Sequence, residues 1–173
     1  MISPPGCAEV RHERKGGNRS IRIPKWGQLF AGALVSFLNF GIHALMTGVI
    51  VLLTRRTAAR TDHLHVFMRL AALLTVTMIA LMCAHVCEIG VWGVYYEFAG
   101  VAPRAATPFE FAFENYTALG YGDPLPPEGK RLIGPITALN GLLLIGWSVA
   151  IIFEVMRMAE VRVGRVSDPP DQS

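Results

Sequence analysis

The sequence predicts an all-α membrane protein with three transmembrane helices and a shorter helix that enters the bilayer without crossing it. Of its 173 residues, 52% are hydrophobic, and the mean hydropathy is +0.40. These values are typical of a small membrane protein and exclude a large soluble enzyme. Three apolar runs are long enough to cross the bilayer, since about 20 apolar residues span ~30 Å of hydrocarbon. A capped segment of about half that length lies between the last two runs.

The first apolar run, residues 26–54, contains no Asp, Glu, Lys or Arg and predicts a transmembrane helix. A cleaved signal peptide is a poorer interpretation, because its apolar core is only ~7 to 15 residues long. We therefore expect this helix to be retained. Residues 1–25, in which Pro-Pro-Gly and Gly-Gly-Asn interrupt a series of charges, are expected to form a disordered basic tail.

The second and third runs predict two further transmembrane helices. Residues 68–96 contain a stretch without Asp, Glu, Lys or Arg, 70–87, and end at a pair of tyrosines typical of a membrane edge. Residues 132–157 form the third run. The remaining residues, 158–173, are too few for a ligand-binding domain, and we expect them to form a disordered tail.

Basic residues flank the apolar runs, which indicates membrane topology and not nucleic-acid binding. They are Arg11, Arg14, Lys15, Arg19, Arg22 and Lys25 before the first run, Arg55, Arg56, Arg60 and Arg69 after it, and Arg157, Arg162 and Arg165 after the third. The segment between the second and third runs is acidic on balance, so the positive-inside rule places it outside. Three crossings then place the N-terminus outside, although the positive-inside rule favours the inner side for so basic a tail. The alternative is that the first run does not cross fully.

The short segment between the second and third runs, residues 107–117, carries a strong helix start signal. Thr107 is the N-cap, Pro108 takes the first helical position and Glu110 completes a capping box. At ~1.5 Å per residue the helix is roughly 15 Å long, about half a bilayer. It must therefore enter the membrane and stop. The non-helical backbone that follows has to be buried in protein or face a watery path.

The residues that follow this helix read Thr-Ala-Leu-Gly-Tyr-Gly-Asp, 117–123. Gly120 and Gly122 permit the left-handed backbone that is needed to aim successive carbonyls in one direction. A row of carbonyls replaces the water around a dehydrated cation. The C-terminal end of the short helix carries partial negative charge, which disfavours anions at the same place.

A short helix, this glycine-containing motif and a following apolar helix together resemble the pore module of the tetrameric potassium-channel superfamily. The resemblance covers roughly residues 70–157, and the chain with its extra first helix is similar to small bacterial ion-channel proteins. It implies a homotetramer in the cell (inner) membrane that passes K⁺ passively, without catalysis, and with K⁺ as its only bound ligand. No soluble partner is indicated. The implied ion-binding filter comprises Thr117, Ala118, Leu119, Gly120, Tyr121, Gly122 and Asp123.

The resemblance also assigns roles around the filter. The Tyr121 ring is expected to brace the filter against Phe111, and Asp123 is expected at the outer mouth. Glu114 occupies a position where some family members pair a glutamate with the filter-end aspartate. Two close carboxylates raise one pKa, which would make the filter sensitive to external pH. The alternative is that Glu114 only faces a water-filled pocket.

Ala118 departs from the family pattern, which usually has threonine at this position. In the family, the hydroxyl of that threonine completes the innermost ion site. Thr117 could supply a hydroxyl there only if the filter sequence were shifted by one residue. A weakly selective cation channel and a non-conducting membrane scaffold therefore stay open as alternatives.

The third run carries a mildly polar face at helical spacing. It consists of Thr137, Asn140, Gly141, Leu144 and Ser148. Such a face suits the wall of a pore cavity, and Gly141 lies close to the family's hinge glycine. The alternative is close packing and hydrogen bonding between helices. No run has arginine at every third position, so a voltage sensor of the usual kind is not predicted.

Intramembrane His43, Cys83, His85, Cys87 and Glu88 raise a competing hypothesis, a metal or haem protein. Their spacing argues against it, because the cysteine pair and the His85–Glu88 pair point about 160 to 200° apart on one helix. We expect His85 and Glu88 to pair with each other or to brace the short helix, with proton sensing as a further possibility. His43 is interpreted as a packing residue.

Overall fold

The computed structural model describes residues 24–120 and 125–167, with side chains as far as residue 159. These residues form four helices and no strand: α1 (Lys25–Arg60), α2 (Val66–Ala99), α3 (Pro108–Thr117) and α4 (Ile133–Ser167). The predicted N-terminal tail up to residue 23, filter residues 121–123 and residues 168–173 lie outside the described part. The all-α prediction is confirmed for the rest.

Three of these helices are long and apolar enough to cross a membrane: α1, α2 and residues 133–159 of α4. With 36 and 34 residues, α1 and α2 are each about 50 Å long at ~1.5 Å per residue, which exceeds the hydrocarbon thickness. The ten-residue α3 is too short to cross. The chain is thus a multi-pass membrane protein with one half-length helix.

The helices pack so that α1 lies against α2 and α4, while α3 lies between α2 and α4. The first turn of α1 lies beside the first turn of α4, where the Gln28 side-chain oxygen accepts a hydrogen bond from the Leu132 backbone N–H at 3.4 Å. The N-terminal end of α1 and the α2–α4 connection are therefore on the same side of the molecule. This agrees with three crossings, and the external placement of both stays a prediction.

The end of α2 is closed by a left-handed residue and a basic side chain. Gly100 adopts φ 57°, a conformation that glycine takes without a Cβ clash, and Val101 N–H returns to the Tyr96 carbonyl at 3.0 Å. The Lys130 ammonium donates to the carbonyls of Ala99, at 2.5 Å, and Gly100, at 2.9 Å. A cation at a helix C-terminus also complements the helix dipole.

Two clusters of buried side chains hold the helices together. The larger surrounds α3 and joins α2 to α4; it contains Ile89, Trp92, Tyr96, Val101, Phe111, Ala112, Tyr116, Ile133 and Leu144. The smaller lies between α1 and α2, where Ile50, Ala80 and Leu81 pack with Leu53, Ile151 and Ile152. Aromatic rings therefore concentrate at the level of α3, and small aliphatic contacts hold the other end.

The C-terminal prediction needs correction. Residues 158–167, expected to be disordered, continue α4 as helix to Ser167. A helix can continue beyond the membrane without apolar residues, because its backbone hydrogen bonds form between its own residues. The lower hydropathy of this stretch therefore does not end α4.

Candidate functional site

The short helix α3 begins with the capping box that the sequence predicts. Thr107 Oγ1 accepts from the Glu110 backbone N–H at 3.3 Å, and the Glu110 carboxylate accepts from the Thr107 backbone N–H at 3.0 Å and from its hydroxyl at 2.8 Å. These bonds, the backbone bond first, hold the pKa of Glu110 below its usual value. Pro108 occupies the first turn, as expected. The start of α3 is therefore fixed by local chemistry alone.

The end of α3 is a left-handed turn. Ala118 adopts φ 55°, its N–H bonds to the Asn115 carbonyl at 3.1 Å, and Leu119 N–H bonds to the Glu114 carbonyl at 3.1 Å. For a residue with a Cβ this conformation costs about 1–2 kcal/mol. Gly120 follows at φ 56°, which confirms its predicted left-handed backbone. Ala118, Leu119 and Gly120 are exposed on the surface of the chain.

The structure describes some of the residues expected in and around the filter: Thr117, Phe111 and Glu114. The Thr117 hydroxyl donates to the Phe113 carbonyl at 2.9 Å, inside its own helix, consistent with the expectation that it does not stand in for a hydroxyl at Ala118. Phe111 is buried, with its ring centroid 5.8 Å from that of Tyr96. Glu114 is half-buried. The expected contacts of Phe111 with Tyr121 and of Glu114 with Asp123 involve residues outside the described part, so they stay predictions.

The polar face of α4 lies inside the protein, and the cavity-wall interpretation of Thr137, Asn140, Leu144 and Ser148 is corrected accordingly. All four are buried between helices of their own chain. Thr137 Oγ1 bonds the Tyr96 hydroxyl at 2.9 Å. The Asn140 side-chain oxygen accepts from Trp92 Nε1 at 2.9 Å and from Asn39 Nδ2 at 3.2 Å. These hydrogen bonds explain why the face points inward; Asn39 Oδ1 and Asn140 Nδ2 have no partner among the described residues.

Gly141 is a close-packing position. A Cβ built on it would lie 2.0 Å from the Tyr116 carbonyl oxygen, well inside any real contact. The backbones of α3 and α4 therefore touch here, and only a glycine allows it. Of the two interpretations of Gly141, the geometry favours close packing over a hinge.

A hydrogen-bonded group, which we call the Glu88 cluster, joins all four helices. It comprises His43, His85, Glu88, Tyr116 and Ser148. Glu88 Oε1 lies 2.7 Å from His43 Nδ1, and Glu88 Oε2 lies 3.1 Å from His85 Nδ1 and 2.5 Å from the Tyr116 hydroxyl. His85 Nδ1 is also 2.9 Å from the Tyr116 hydroxyl, and its Nε2 is 2.9 Å from Ser148 Oγ.

The cluster confirms one prediction and corrects another. His85 pairs with Glu88, and it also contacts Tyr116 of α3, so both expected roles are present. His43 is more than a packing residue, because its Nδ1 is within hydrogen-bond distance of a carboxylate 45 positions away. The His43 and Glu88 side chains are 1% and 0% exposed. Carboxylates at membrane depth are expensive unless they have partners, and here the partners come from three different helices.

The same residues form the only metal-compatible group among those the structure describes: ligand atoms of His43, His85 and Glu88 all lie within 4.8 Å of one another. The two Nδ1 atoms hydrogen-bond different oxygens of the carboxylate. Cys83 and Cys87 are exposed on α2. The cysteines lie outside this group, and the absence of a bound metal stays a prediction.

A signal for His43 was present in the sequence of α1. The buried residues of α1 recur at a spacing of 11, in two series: Gln28, Asn39 and Ile50, and Gly32, His43 and Thr54. Eleven residues make three turns of about 3.67 residues, so both series follow one narrow stripe. Polar residues on such a stripe of an apolar helix indicate contact with partners inside the protein.

Three spanning helices with a half-length capped helix between the last two define a pore-loop membrane protein. Residues 74–158, which run from α2 through α3 into α4, match the family model described as ion channel. The chain therefore contains an ion-channel domain, which supports a small pore-loop ion-channel protein. Neither the curated proteins nor the solved structures yielded a match to it.

Proposed function

We propose that the protein is a potassium-selective channel in which four chains surround a filter of backbone carbonyls from residues 117–123. The observation that carries the proposal is the end of α3: a capped, ten-residue helix stops in a left-handed turn at Ala118 and leads directly into Gly-Tyr-Gly-Asp. Carbonyls that replace the hydration shell of a cation need such a backbone.

The position of the turn supports an oligomer. Ala118, Leu119 and Gly120 are exposed at the tip of α3, on a chain that supplies one filter strand. One strand cannot surround an ion, so several copies must meet around this tip. A homotetramer satisfies that requirement with the symmetry of the family. Native mass spectrometry is expected to give a mass four times 18.9 kDa.

The electrostatics of α3 favour cations. Its C-terminal end carries the negative end of the helix dipole, and its N-terminal end carries Glu110 in the capping box. With the α2–α4 connection outside, α3 would point its negative end toward the middle of the cell membrane, where a permeating cation is least solvated. Transport of this kind is passive and involves no chemical catalysis.

The direct test is a reversal potential. Purified protein in a planar bilayer, with K⁺ on one side and Na⁺ on the other, is expected to give a potential near the K⁺ limit. Gly120→Ala is the matched filter variant, because φ 56° is strained for alanine; it is expected to lose selective current. A clear current with a potential near zero contradicts potassium selectivity, and no current under any pH or voltage contradicts conduction itself.

Ala118 favours one second candidate, a weakly selective cation channel, because it lacks the hydroxyl that the innermost ion site usually uses. Ala118→Thr is a poor test, since a β-branched residue at φ 55° is strongly disfavoured. Ala118→Ser adds the hydroxyl without the branch. If the wild type is weakly selective and Ala118→Ser shifts its reversal potential toward the K⁺ limit, the second candidate holds.

A further inference from the structure

In the last turn of α3, the Tyr116 side chain bonds to another helix, while the side chains on either side of it bond within α3. Asn115 Nδ2 donates to the Phe111 carbonyl at 2.7 Å, and the Thr117 hydroxyl donates to the Phe113 carbonyl at 2.9 Å. The Tyr116 hydroxyl differs from both, because its hydrogen-bond partners are residues of α2. It therefore connects the end of α3 to the rest of the helix bundle.

Tyr116 is held in two directions. Its hydroxyl donates to Glu88 Oε2 at 2.5 Å and lies 2.9 Å from His85 Nδ1. Its carbonyl oxygen lies against α4, where a Cβ on Gly141 would approach it to 2.0 Å. The whole residue is 1% exposed. The side chain of Tyr116 is thus fixed by α2 and its backbone by α4.

Glu88 is a firm anchor for this tyrosine because α1 holds it at two points. His43 Nδ1 lies 2.7 Å from Glu88 Oε1, and Asn39 Nδ2 donates to the Glu88 backbone carbonyl at 3.3 Å. All three residues are at most 1% exposed. The carboxylate cannot move without leaving a buried polar group unpaired, which is costly. The position of the Tyr116 hydroxyl is therefore set by α1 as well as by α2.

Under the proposed function, the ligands that this part of the chain offers to an ion are backbone carbonyls. Ala118 has no hydroxyl, and the Thr117 hydroxyl is used inside α3. Selection among cations then depends on the number and placement of carbonyls. The N–H groups of Ala118 and Leu119 bond to carbonyls of the preceding turn of α3, both at 3.1 Å. The carbonyls at the end of α3 therefore move with the turn that Tyr116 holds.

We propose that Tyr116 is a positioning residue for cation selection: the hydrogen bond from its hydroxyl to Glu88 sets the place of the carbonyls from Thr117 to Gly120. This inference rests on the proposed function and goes beyond it, because it names a residue outside the filter that determines specificity. Tyr116 acts through the last turn of α3. Since α1 holds Glu88, the first helix takes part in the selection of ions.

Hydrogen exchange tests the positioning without requiring conduction. Tyr116→Phe keeps the ring and removes the hydroxyl. Backbone exchange in a peptide covering residues 111–120 is expected to rise about fivefold, the effect of one net hydrogen bond. Exchange in residues 66–80, at the other end of α2, is expected to stay at the wild-type rate. An unchanged rate in residues 111–120 overturns the proposal, and so does an equal rise in residues 66–80, which indicates a general loss of stability.

Tyr95→Phe is the matched control on α2. The Tyr95 ring contacts Trp92 and Tyr96, but its hydroxyl has no hydrogen bond within the part of the chain that the structure describes. Exchange in residues 111–120 of this variant is expected to match wild type. A rise equal to that of Tyr116→Phe would overturn the proposal, because the loss of any buried tyrosine hydroxyl would then have the same effect.

The reversal potential with K⁺ on one side and Na⁺ on the other tests the selection. The permeability ratio of K⁺ to Na⁺ is expected to fall about fivefold or more in Tyr116→Phe, with a clear current retained. Tyr95→Phe is expected to keep the wild-type ratio. A merely structural contact would lower the number of active channels without changing their ratio. An unchanged ratio in Tyr116→Phe therefore overturns the role in selection.

The two measurements separate this inference from the proposed function. If the wild type shows no preference for K⁺ while Tyr116→Phe raises exchange in residues 111–120 alone, the proposed function fails and the positioning role stands. If the wild type selects K⁺ and Tyr116→Phe selects it equally well, the proposed function stands and this inference fails.

Discussion

The two ends of the helix bundle are held together by different kinds of contact. At the level of α3, buried aromatic rings and hydrogen-bonded polar side chains join all four helices. At the opposite end, Ile50, Ala80 and Leu81 form a small aliphatic contact. Lipid tails compete well with aliphatic contacts, but they cannot replace a hydrogen bond. The polar end therefore determines the arrangement of the helices, and the aliphatic contacts at the other end contribute less to it.

The largest expected effect comes from the centre of the polar end. Glu88→Ala leaves three buried donors without their acceptor. Each buried donor that loses its acceptor costs about 1–3 kcal/mol, and we expect a total loss of about 3–5 kcal/mol in the free energy of unfolding. Denaturant titration in detergent, followed by circular dichroism, measures it. The matched control is Glu97→Ala on the exposed surface of the same helix, expected to stay within about 0.5 kcal/mol of wild type. Similar losses in both variants would refute the contrast.

The contact between α3 and α4 comes next. Gly141→Ala places a methyl group against the Tyr116 carbonyl and is expected to cost about 1–3 kcal/mol. Gly146→Ala, five residues along the same helix, meets open space in the single chain, and it is expected to be neutral or to stabilise the helix by up to about 1 kcal/mol. Unfolding of the two variants side by side checks the prediction. It is wrong if Gly141→Ala is as stable as Gly146→Ala.

The capping box of α3 is a polar contact at the same end, but it is exposed. Its loss therefore shows how much a polar contact contributes without burial. Thr107→Ala removes the cap of α3 and is expected to cost about 1 kcal/mol. The cap should also depend on pH. Because the folded-state pKa of Glu110 is lowered, its contribution is present above the ordinary carboxyl pKa and is lost as pH falls through the lowered value.

Acid titration of stability tests the second part of that prediction. Glu110→Gln keeps an acceptor at the third helical position but has no charge to lose. Its stability is expected to fall less than that of wild type when the pH is lowered below about 4. Equal acid sensitivity in the two proteins would show that Glu110 plays no part in it.

The smallest expected effect is at the aliphatic end. Ile50→Val removes one methylene from a side chain that is 1% exposed, and we expect a loss of about 0.5–1 kcal/mol. Unfolding by the same method measures it. A loss larger than that of Gly141→Ala would reverse the ranking of the two ends.

The sequence predicts the helices well because their signals are local. The absence of charge marks α1, and Thr107, Pro108 and Glu110 mark the first residues of α3. The extension of α4 beyond residue 157 was missed, because hydropathy marks where a membrane ends and not where a helix ends. The filter prediction rests on residues 117–123, of which the structure describes only the first four.

The polar contacts were harder to predict because their partners are distant in sequence. His85 and Glu88 are three residues apart on one helix, so their pairing follows from periodicity. His43 and Glu88 are on different helices, and no local rule joins them. The face of α4 that carries Thr137 and Asn140 was recognised, but its direction was not, since periodicity identifies a face without saying what it meets.

The contact between His43 and Glu88 has a consequence for how the protein is made. Ribosomes synthesise the chain from its N-terminus, so α1 enters the bilayer before α2. Asn39 and His43 are then already in place when the helix that carries Glu88 arrives, and Asn39 Nδ2 also donates to the Glu88 backbone carbonyl. We therefore expect the first helix to offer the Glu88 carboxylate a hydrogen-bonding partner in place of lipid while the second helix inserts.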